Sequence, residues 1–305
     1  MDPGKPSCNE APHILEIKML ASKPPQDSPH HPYPAPRRTA NRTAGSVRLL
    51  QLSDPHLFAQ PAGQLLGITT RFSFEAVLEW ALAGPDKPDA LVLTGDLVHD
   101  DSPDGYRYLR RILDQTGLPY DCLAGNHDRR DLMDACLGST SVEPVVSRRL
   151  GAWHLIFLDS ANPGHNSGYL SPEQLHQLGE RLAADPAPTL IFLHHHPVPV
   201  GSAWMDTMGV VNGADLLGLV AIHPQIKGMV FGHVHQAFAS MRAGCRFLGA
   251  PSTCVQFLPG SKDFALDERP PGYRELLLEP DGRLETRVIR LDQYPESPLQ
   301  RSGGY

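Results

Sequence analysis

The stretch Leu118-Pro-Tyr-Asp-Cys-Leu-Ala-Gly-Asn-His-Asp128 decides how this chain is read. Leu118–Ala124 is an apolar run of strand length, and it stops at Gly125-Asn126-His127-Asp128. An amide oxygen can ligate a hard metal ion, and the adjacent imidazole can deliver a proton to a leaving oxygen. Alone, the tetrapeptide is an ordinary turn. Its meaning depends on whether other strands of the chain end in matching chemistry.

They do. Upstream, Val47–Leu52 reads as a buried strand ending at Ser53-Asp54-Pro55-His56, and Ala90–Thr94 as another ending at Gly95-Asp96. Phe72–Ala83 and Asp104–Gln115 have helical spacing between them. Strand, helix, strand, helix, strand predicts a largely parallel sheet covered on both faces, with ligands bound beyond the carboxyl ends of its strands. Downstream, Trp153–Leu158 and Thr189–Leu193 read as strands, the second running into His194-His195-His196-Pro197. Gln225–Phe231 is a strand that stops at Gly232-His233-Val234-His235, and Pro172–Leu182 and Ala214–Ile222 are helical. Ala237–Arg242, Cys245–Leu248, Tyr273–Leu278 and Leu284–Leu291 read as an antiparallel meander. Two facing sheets with helices outside is the expected packing.

Composition narrows the function. The chain has 305 residues, 41% hydrophobic, and a net charge of −7. That balance argues against a general nucleic-acid or anionic-membrane binder. Five cysteines lack Cys-x-x-Cys spacing, and neither a secretory leader nor an apolar run of membrane-spanning length is present, so a cytoplasmic protein is expected. Residues 1–45 are proline-rich, with six prolines from Lys23 to Arg38, and read as a disordered extension despite His30-His31. Residues 46–291 form the folded domain, and residues 292–305 a flexible tail. Seven of the fifteen histidines fall in the strand-end motifs, which is where the composition departs from the ordinary.

Each motif has a plain alternative. Asp54-Pro55-His56 could be a strand-terminating turn, and Asp96 a helix cap. A carboxylate after an apolar strand is poorly solvated unless paired, and its two oxygens can bridge two cations, a role assigned to Asp96. In an extended segment, alternate residues of His194–His196 face opposite sides, so at most two can reach one site. His233 and His235, separated by one residue, would share a face. A lone His-x-His pair is more often a surface loop, but here five blocks occur in order.

That order resembles the calcineurin-like metallophosphoesterases, over about residues 46–291 and with every block of the signature present. In detail it is similar to the bacterial class III 3′,5′-cyclic AMP phosphodiesterases. The likeness includes Gly201-Ser-Ala-Trp-Met-Asp206 with Gly209 and Asn212, Pro251-Ser-Thr-Cys-Val-Gln-Phe257, Phe264-Ala-Leu-Asp267 and Pro271-Gly-Tyr-Arg274. The resemblance implies an α/β fold, a four-layer αββα sandwich of two mixed β-sheets flanked by helices. It implies one metal held by Asp54, His56, Asp96 and His235. Asp96 bridges to a second metal held by Asn126, His195 and His233, with His194 the fallback for His195. His127, Asp96 and Asn126 are the expected catalytic residues. His56, Asp96, Asn126, His127, His195 and His235 are those expected to meet the substrate. The implied reaction is hydrolysis of cyclic AMP to 5′-AMP by a hydroxide bridging two divalent ions about 3.5–4 Å apart. His127 would protonate the leaving 3′-oxygen. Ligand chemistry favours Fe(II) or Mn, with Zn or Co possible. A monomer or homodimer acting on a small cyclic nucleotide is expected.

Trp204 is a candidate to stack on the nucleobase, or else it packs its own loop. Asp128 is expected to orient His127 or to cap a helix starting near Arg129. The competing functions are a phosphodiesterase of broader specificity, a metal-free scaffold of the same fold, and a nuclease. Substrate competition separates the first, metal content the second, and the acidic balance argues against the third.

Overall fold

The structure, a computed structural model, describes residues 42–84, 86–138 and 145–299. Its elements in order are β1 (Val47–Leu52), β2 (Gln64–Leu65), β3 (Ile68–Thr69), α1 (Thr70–Leu82), β4 (Ala90–Thr94), α2 (Pro103–Gln115), β5 (Tyr120–Leu123) and α3 (Arg130–Leu137). Then come β6 (Val145–Leu150), β7 (Trp153–Leu158), α4 (Pro172–Ala184), β8 (Thr189–Leu193), a 3₁₀ turn (Met205–Met208), α5 (Gly213–Ile222) and β9 (Ile226–Phe231). The last are β10 (Phe238–Arg242), β11 (Cys245–Gly249), β12 (Gln256–Phe257), β13 (Leu266–Asp267), β14 (Gly272–Leu278) and β15 (Leu284–Arg290).

Two large sheets result. The first has the order β15-β14-β1-β4-β5, the second β10-β11-β9-β8-β7-β6. β1, β4 and β5 run parallel, as do β7, β8, β9 and β11, with antiparallel strands at the margins. Side chains alternate across each strand, and the core divides accordingly. Val47, Leu49, Ala90, Val92, Leu155, Phe157, Leu190 and Phe192 fill the layer between the sheets. Leu50, Leu52, Leu91 and Leu93 face the other way, onto α1, α2 and α3. Ile156, Leu158, Ile191 and Leu193 likewise meet α4 and α5. This is the expected four-layer αββα sandwich. Strands buried on both faces carry apolar residues at most positions, which is why β1, β4, β7 and β8 are legible as apolar runs despite Arg48, Gln51, Thr94, His154 and Thr189.

Local signals set the helix starts. Ser102 and Ser171 each accept a hydrogen bond from the backbone three residues on, Gly105 and Gln174, and a proline opens α2 and α4.

The meander expectation is corrected. The hairpin β10–β11 joins the second sheet, whereas β14–β15 joins the first, where β14 pairs antiparallel with β1. Alternating apolar residues suit either sheet, and only packing chooses. After β15 the chain is described as far as Leu299. Glu296 accepts hydrogen bonds from the Thr69 N–H and hydroxyl, and the Leu299 N–H donates to the Leu66 carbonyl. Of the extension expected over residues 1–45, residues 1–41 lie outside the described residues, as do 300–305 of the tail.

Candidate metal centre and active site

The apolar layer between the sheets ends in a polar floor. Gln51 donates from Nε2 to Thr94 Oγ1 and to the Phe231 carbonyl, both at 2.9 Å, tying the two sheets together. The Ser53 and Thr94 hydroxyls lie 2.6 Å apart beside it. Above this floor the chain leaves each strand abruptly. Asp54, His56, Asp96, His233 and His235 have φ of 51, 45, 50, 65 and 47°, all in the left-handed region that non-glycine residues avoid. Such positions cost of order 1–3 kcal/mol each and persist only where surrounding contacts over-determine them. Here the Asp54 and His56 N–H groups donate to the carbonyls of Gly95 and Asp96, and the His233 N–H donates to the Asp54 carboxylate. The turns aim the five side chains at one point.

Asp96 is at the centre. Its Oδ2 stands 3.7 Å from His56 Nε2 and 3.4 Å from His194 Nε2, and its Oδ1 accepts the His127 N–H at 2.9 Å. On the His56 side, His235 Nε2 lies 3.4 Å from both His56 Nε2 and Asp54 Oδ1. On the other, Asn126 Oδ1 is 3.2 Å from His194 Nε2, and the His194 and His233 rings are 5.1 Å apart. Two glycines make room. A Cβ at Gly125 would sit 2.1 Å from Asp96 Oδ1, and one at Gly95 would sit 2.3 Å from His194 Nδ1.

Hydrogen bonds fix which ring nitrogens are available. A carbonyl can only accept, so His194 Nδ1 donates to Thr94 at 2.7 Å and His235 Nδ1 donates to Val255 at 2.8 Å. Both therefore leave Nε2 as the ring nitrogen that faces the site. His195 differs. Ser160 Oγ already accepts the backbone N–H groups of His194 and His195, so its own proton goes to His195 Nδ1 at 2.9 Å. That turns His195 Nε2 away from Ser160, buried and with no hydrogen-bond partner among the described residues, and His194, His195 and His233 form one group of potential ligands. All three rings of the run nevertheless lie near His233, with centroids 5.1, 4.7 and 5.7 Å away for His194, His195 and His196. The expected alternation fails because the chain bends after Leu193 instead of continuing extended.

Burial dominates the electrostatics. Asp54, His56, His194, His195 and His235 are fully buried, and Asp96 and His233 nearly so. Desolvation holds His56, His195 and His233 well below the ordinary imidazole range, so they are neutral lone-pair carriers. Desolvation alone would raise Asp96, but the imidazoles, His194 foremost, hold its carboxyl well below the usual range. His194 is the converse: burial pulls it down, and the Asp96 carboxylate raises it above 6.5 regardless. A place that stabilises a proton between these two groups stabilises cationic charge.

The donor set fits metal ions. Carboxylate and amide oxygens mixed with imidazoles suit divalent first-row ions. His233 Nε2 is buried with no hydrogen-bond partner among the described residues, a state that native structures rarely leave unexplained. Asp54, His56 and His235 form one group with ligand atoms within 4.8 Å of one another, and Asp54, Asp96 and His194 another.

Other expectations are redirected. Asp128 neither caps α3, whose N-cap is Arg129 without a side-chain bond, nor is hydrogen-bonded to His127. It accepts from the N–H groups of Gly125, Leu97 and Val98 and from the Tyr106 hydroxyl, clamping the Asp96 loop to the Asn126 loop. Trp204 packs edge-on against Phe257 and Phe264, with centroids 5.2 Å from each, and its Nε1 donates to Ser261. Asn212 exchanges hydrogen bonds with the Leu170 backbone. Both stabilise loops. Sequence reasoning passed over His99, half-buried and stacked 5.0 Å from His127 at 25°. Its only sequence signal was its place three residues after Asp96.

A family model for calcineurin-like phosphoesterases matches residues 47–237. The chain is 45% identical over 254 residues to the 3′,5′-cyclic adenosine monophosphate phosphodiesterase CpdA of Pseudomonas aeruginosa, covering 82% of this chain and 92% of that one. It is 39% identical over 261 residues to CpdA of Escherichia coli K12, covering 85% and 95%. It is 37% identical over 246 residues to a 3′,5′-cyclic-nucleotide phosphodiesterase of Nostoc, covering 80% and 92%. A dimetal phosphatase from Danio rerio shares the fold, with a TM-score of 0.55 at 16% identity over 81% of this chain and 99% of that one. The strand-end blocks, the sandwich and these likenesses agree: the chain belongs to the calcineurin-like phosphoesterase family, in its CpdA-like group.

Proposed function

We propose that this site hydrolyses 3′,5′-cyclic AMP to 5′-AMP with two divalent cations. The observation that carries the reading is Asp96, one buried carboxylate with His56 Nε2 at 3.7 Å on one side and His194 Nε2 at 3.4 Å on the other. Asp54, His56, Asp96 and His235 would hold one ion, and Asp96, Asn126, His194 and His233 the second. His194, the fallback for His195, is preferred here because its Nε2 lies 3.4 Å from Asp96 Oδ2 and 3.2 Å from Asn126 Oδ1. Bound there, the cations would offset phosphate charge and favour ionisation of water at neutral pH. Fe(II) or Mn suits the oxygen-rich donor set better than a thiolate-seeking ion.

His127 would supply the proton to the departing 3′-oxygen. Its N–H is anchored on Asp96, and its half-buried ring stands at the rim beside His56 and His99. General-acid catalysis contributes typically 10²–10⁴-fold. The choice of cyclic AMP rests on the CpdA relatives. A broader phosphodiesterase is the second reading, favoured by one observation: Trp204, the candidate to stack on a nucleobase, is packed against Phe257 and Phe264 and donates to Ser261. A reducing, cytoplasmic setting suits Cys122, Cys136, Cys245 and Cys254, which are buried and form no disulfide among the described residues. Among the described residues no helix is long and apolar enough to cross a membrane.

The test is turnover of cyclic AMP, bis-p-nitrophenyl phosphate and glycerophosphodiesters by stripped protein reloaded with Mn or Fe(II). Cyclic AMP should give the highest kcat/KM. A rate on it far below the others would replace the cyclic AMP reading with the broader one.

A further inference from the structure

We propose that His99 is a positioning residue that fixes the tautomer and aim of His56. The inference rests only on the metal-holding part of the function proposed above, not on its substrate. His99 follows β4 on the loop that carries Asp96, and its N–H donates to the Leu57 carbonyl at 2.9 Å. A parallel bridge between Leu57 and Val98 locks the two loops side by side. That places His99 Nδ1 3.2 Å from His56 Nδ1.

Two ring nitrogens at that distance share one proton. For His56 Nε2 to offer its lone pair toward Asp96 and His235, the His56 proton must be on Nδ1. His56 Nδ1–H then donates to His99 Nδ1, and the His99 proton lies on Nε2. His194 and His235 give their Nδ1–H to main-chain carbonyls, which no substitution removes. At His56 the same task falls to a side chain. The His99 ring is itself braced by Phe58, with centroids 5.2 Å apart, and by the stacked His127. Outer hydrogen-bond partners of a ligating imidazole fix its orientation and raise its basicity, and losing one typically costs 10–100-fold in metal affinity or activity.

The experiment titrates Mn²⁺ into stripped wild-type, His99→Ala, His99→Leu and His99→Asn proteins, following bound ion directly and melting each protein without metal. An asparagine amide oxygen can accept the His56 proton, whereas leucine fills the space but cannot. His99→Ala and His99→Leu should bind Mn²⁺ about 10–100-fold more weakly, and His99→Asn should recover most of the loss. Wild-type affinity in His99→Leu would overturn the proposal. So would equal losses in His99→Leu and His99→Asn, which would mean packing and not an acceptor. If His99→Ala fails to fold, the leucine and asparagine pair decides. Wild-type protein that binds Mn²⁺ but ignores cyclic AMP would defeat the substrate reading and leave this one standing.

Discussion

Substituting Gly125 with alanine tests the geometry of the centre without touching any ligand. Gly125 is outside the left-handed region, so an alanine there is not strained in itself. Its Cβ would, however, lie 2.1 Å from Asp96 Oδ1 and 2.5 Å from the Asp96 nitrogen. Ordinary contact begins near 3.4 Å, so the Asp96 and Asn126 loops must part by about 1.3 Å. Asp128 resists that opening, because it bonds the Gly125 N–H on one loop and those of Leu97 and Val98 on the other. Overpacking of this kind costs about 1–3 kcal/mol of stability. A displacement of about 1 Å in a catalytic arrangement can cost roughly 100-fold in rate, or about 2.7 kcal/mol of transition-state stabilisation. The assay is kcat/KM with Mn content measured on the same samples. A folded Gly125→Ala protein with wild-type metal content and kcat/KM would refute the close approach of the two loops and the centrality of Asp96.

The remaining predictions concern single side chains. His194→Ala should lose one bound ion and nearly all turnover, whereas His195→Ala should keep both ions; the reverse pattern in metal analysis would restore the family-based choice. His196, held near 4 by burial, is neutral in the fold and protonates near 6.5 when unfolded. The unfolded chain therefore binds more protons between those values, so stability falls as pH drops from about 6.5 to 4, by on the order of 3 kcal/mol. In metal-stripped His196→Asn that acid loss should be shallower, as read by denaturant melts across the range. Gly218→Ala, on the exposed face of α5 with no atom within 4 Å of the new Cβ, should stabilise by roughly 0.5–1 kcal/mol and leave turnover unchanged. An altered kcat there would point to a coupling between α5 and the site that the fold does not suggest.

The sequence by itself determined the sandwich and the position of the site. Strands covered on both faces are mostly apolar, so β1, β4, β8 and β9 are visible as runs despite Arg48, Gln51, Thr94, Thr189 and Lys227, and the polar residues that end β1, β4, β5, β8 and β9 mark the carboxyl edge. Asp54, His56, Asp96, Asn126, His127, His233 and His235 follow those ends directly, and the structure gathers them. What the tertiary structure decided are matters of direction and partnership. Which imidazole of His194–His196 faces Asp96 depends on a bend after Leu193 and on Ser160, a residue 34 positions away in sequence from His194. The assignment of β14–β15 to the first sheet depends on pairing with β1, more than two hundred residues earlier in the chain. His99 and Asp128 acquire their roles only because the Asp96 loop lies against its neighbours. Hydrophobic periodicity records which residues are buried, but a lone pair is aimed by whichever group meets the other ring nitrogen, and that group comes from elsewhere in the fold.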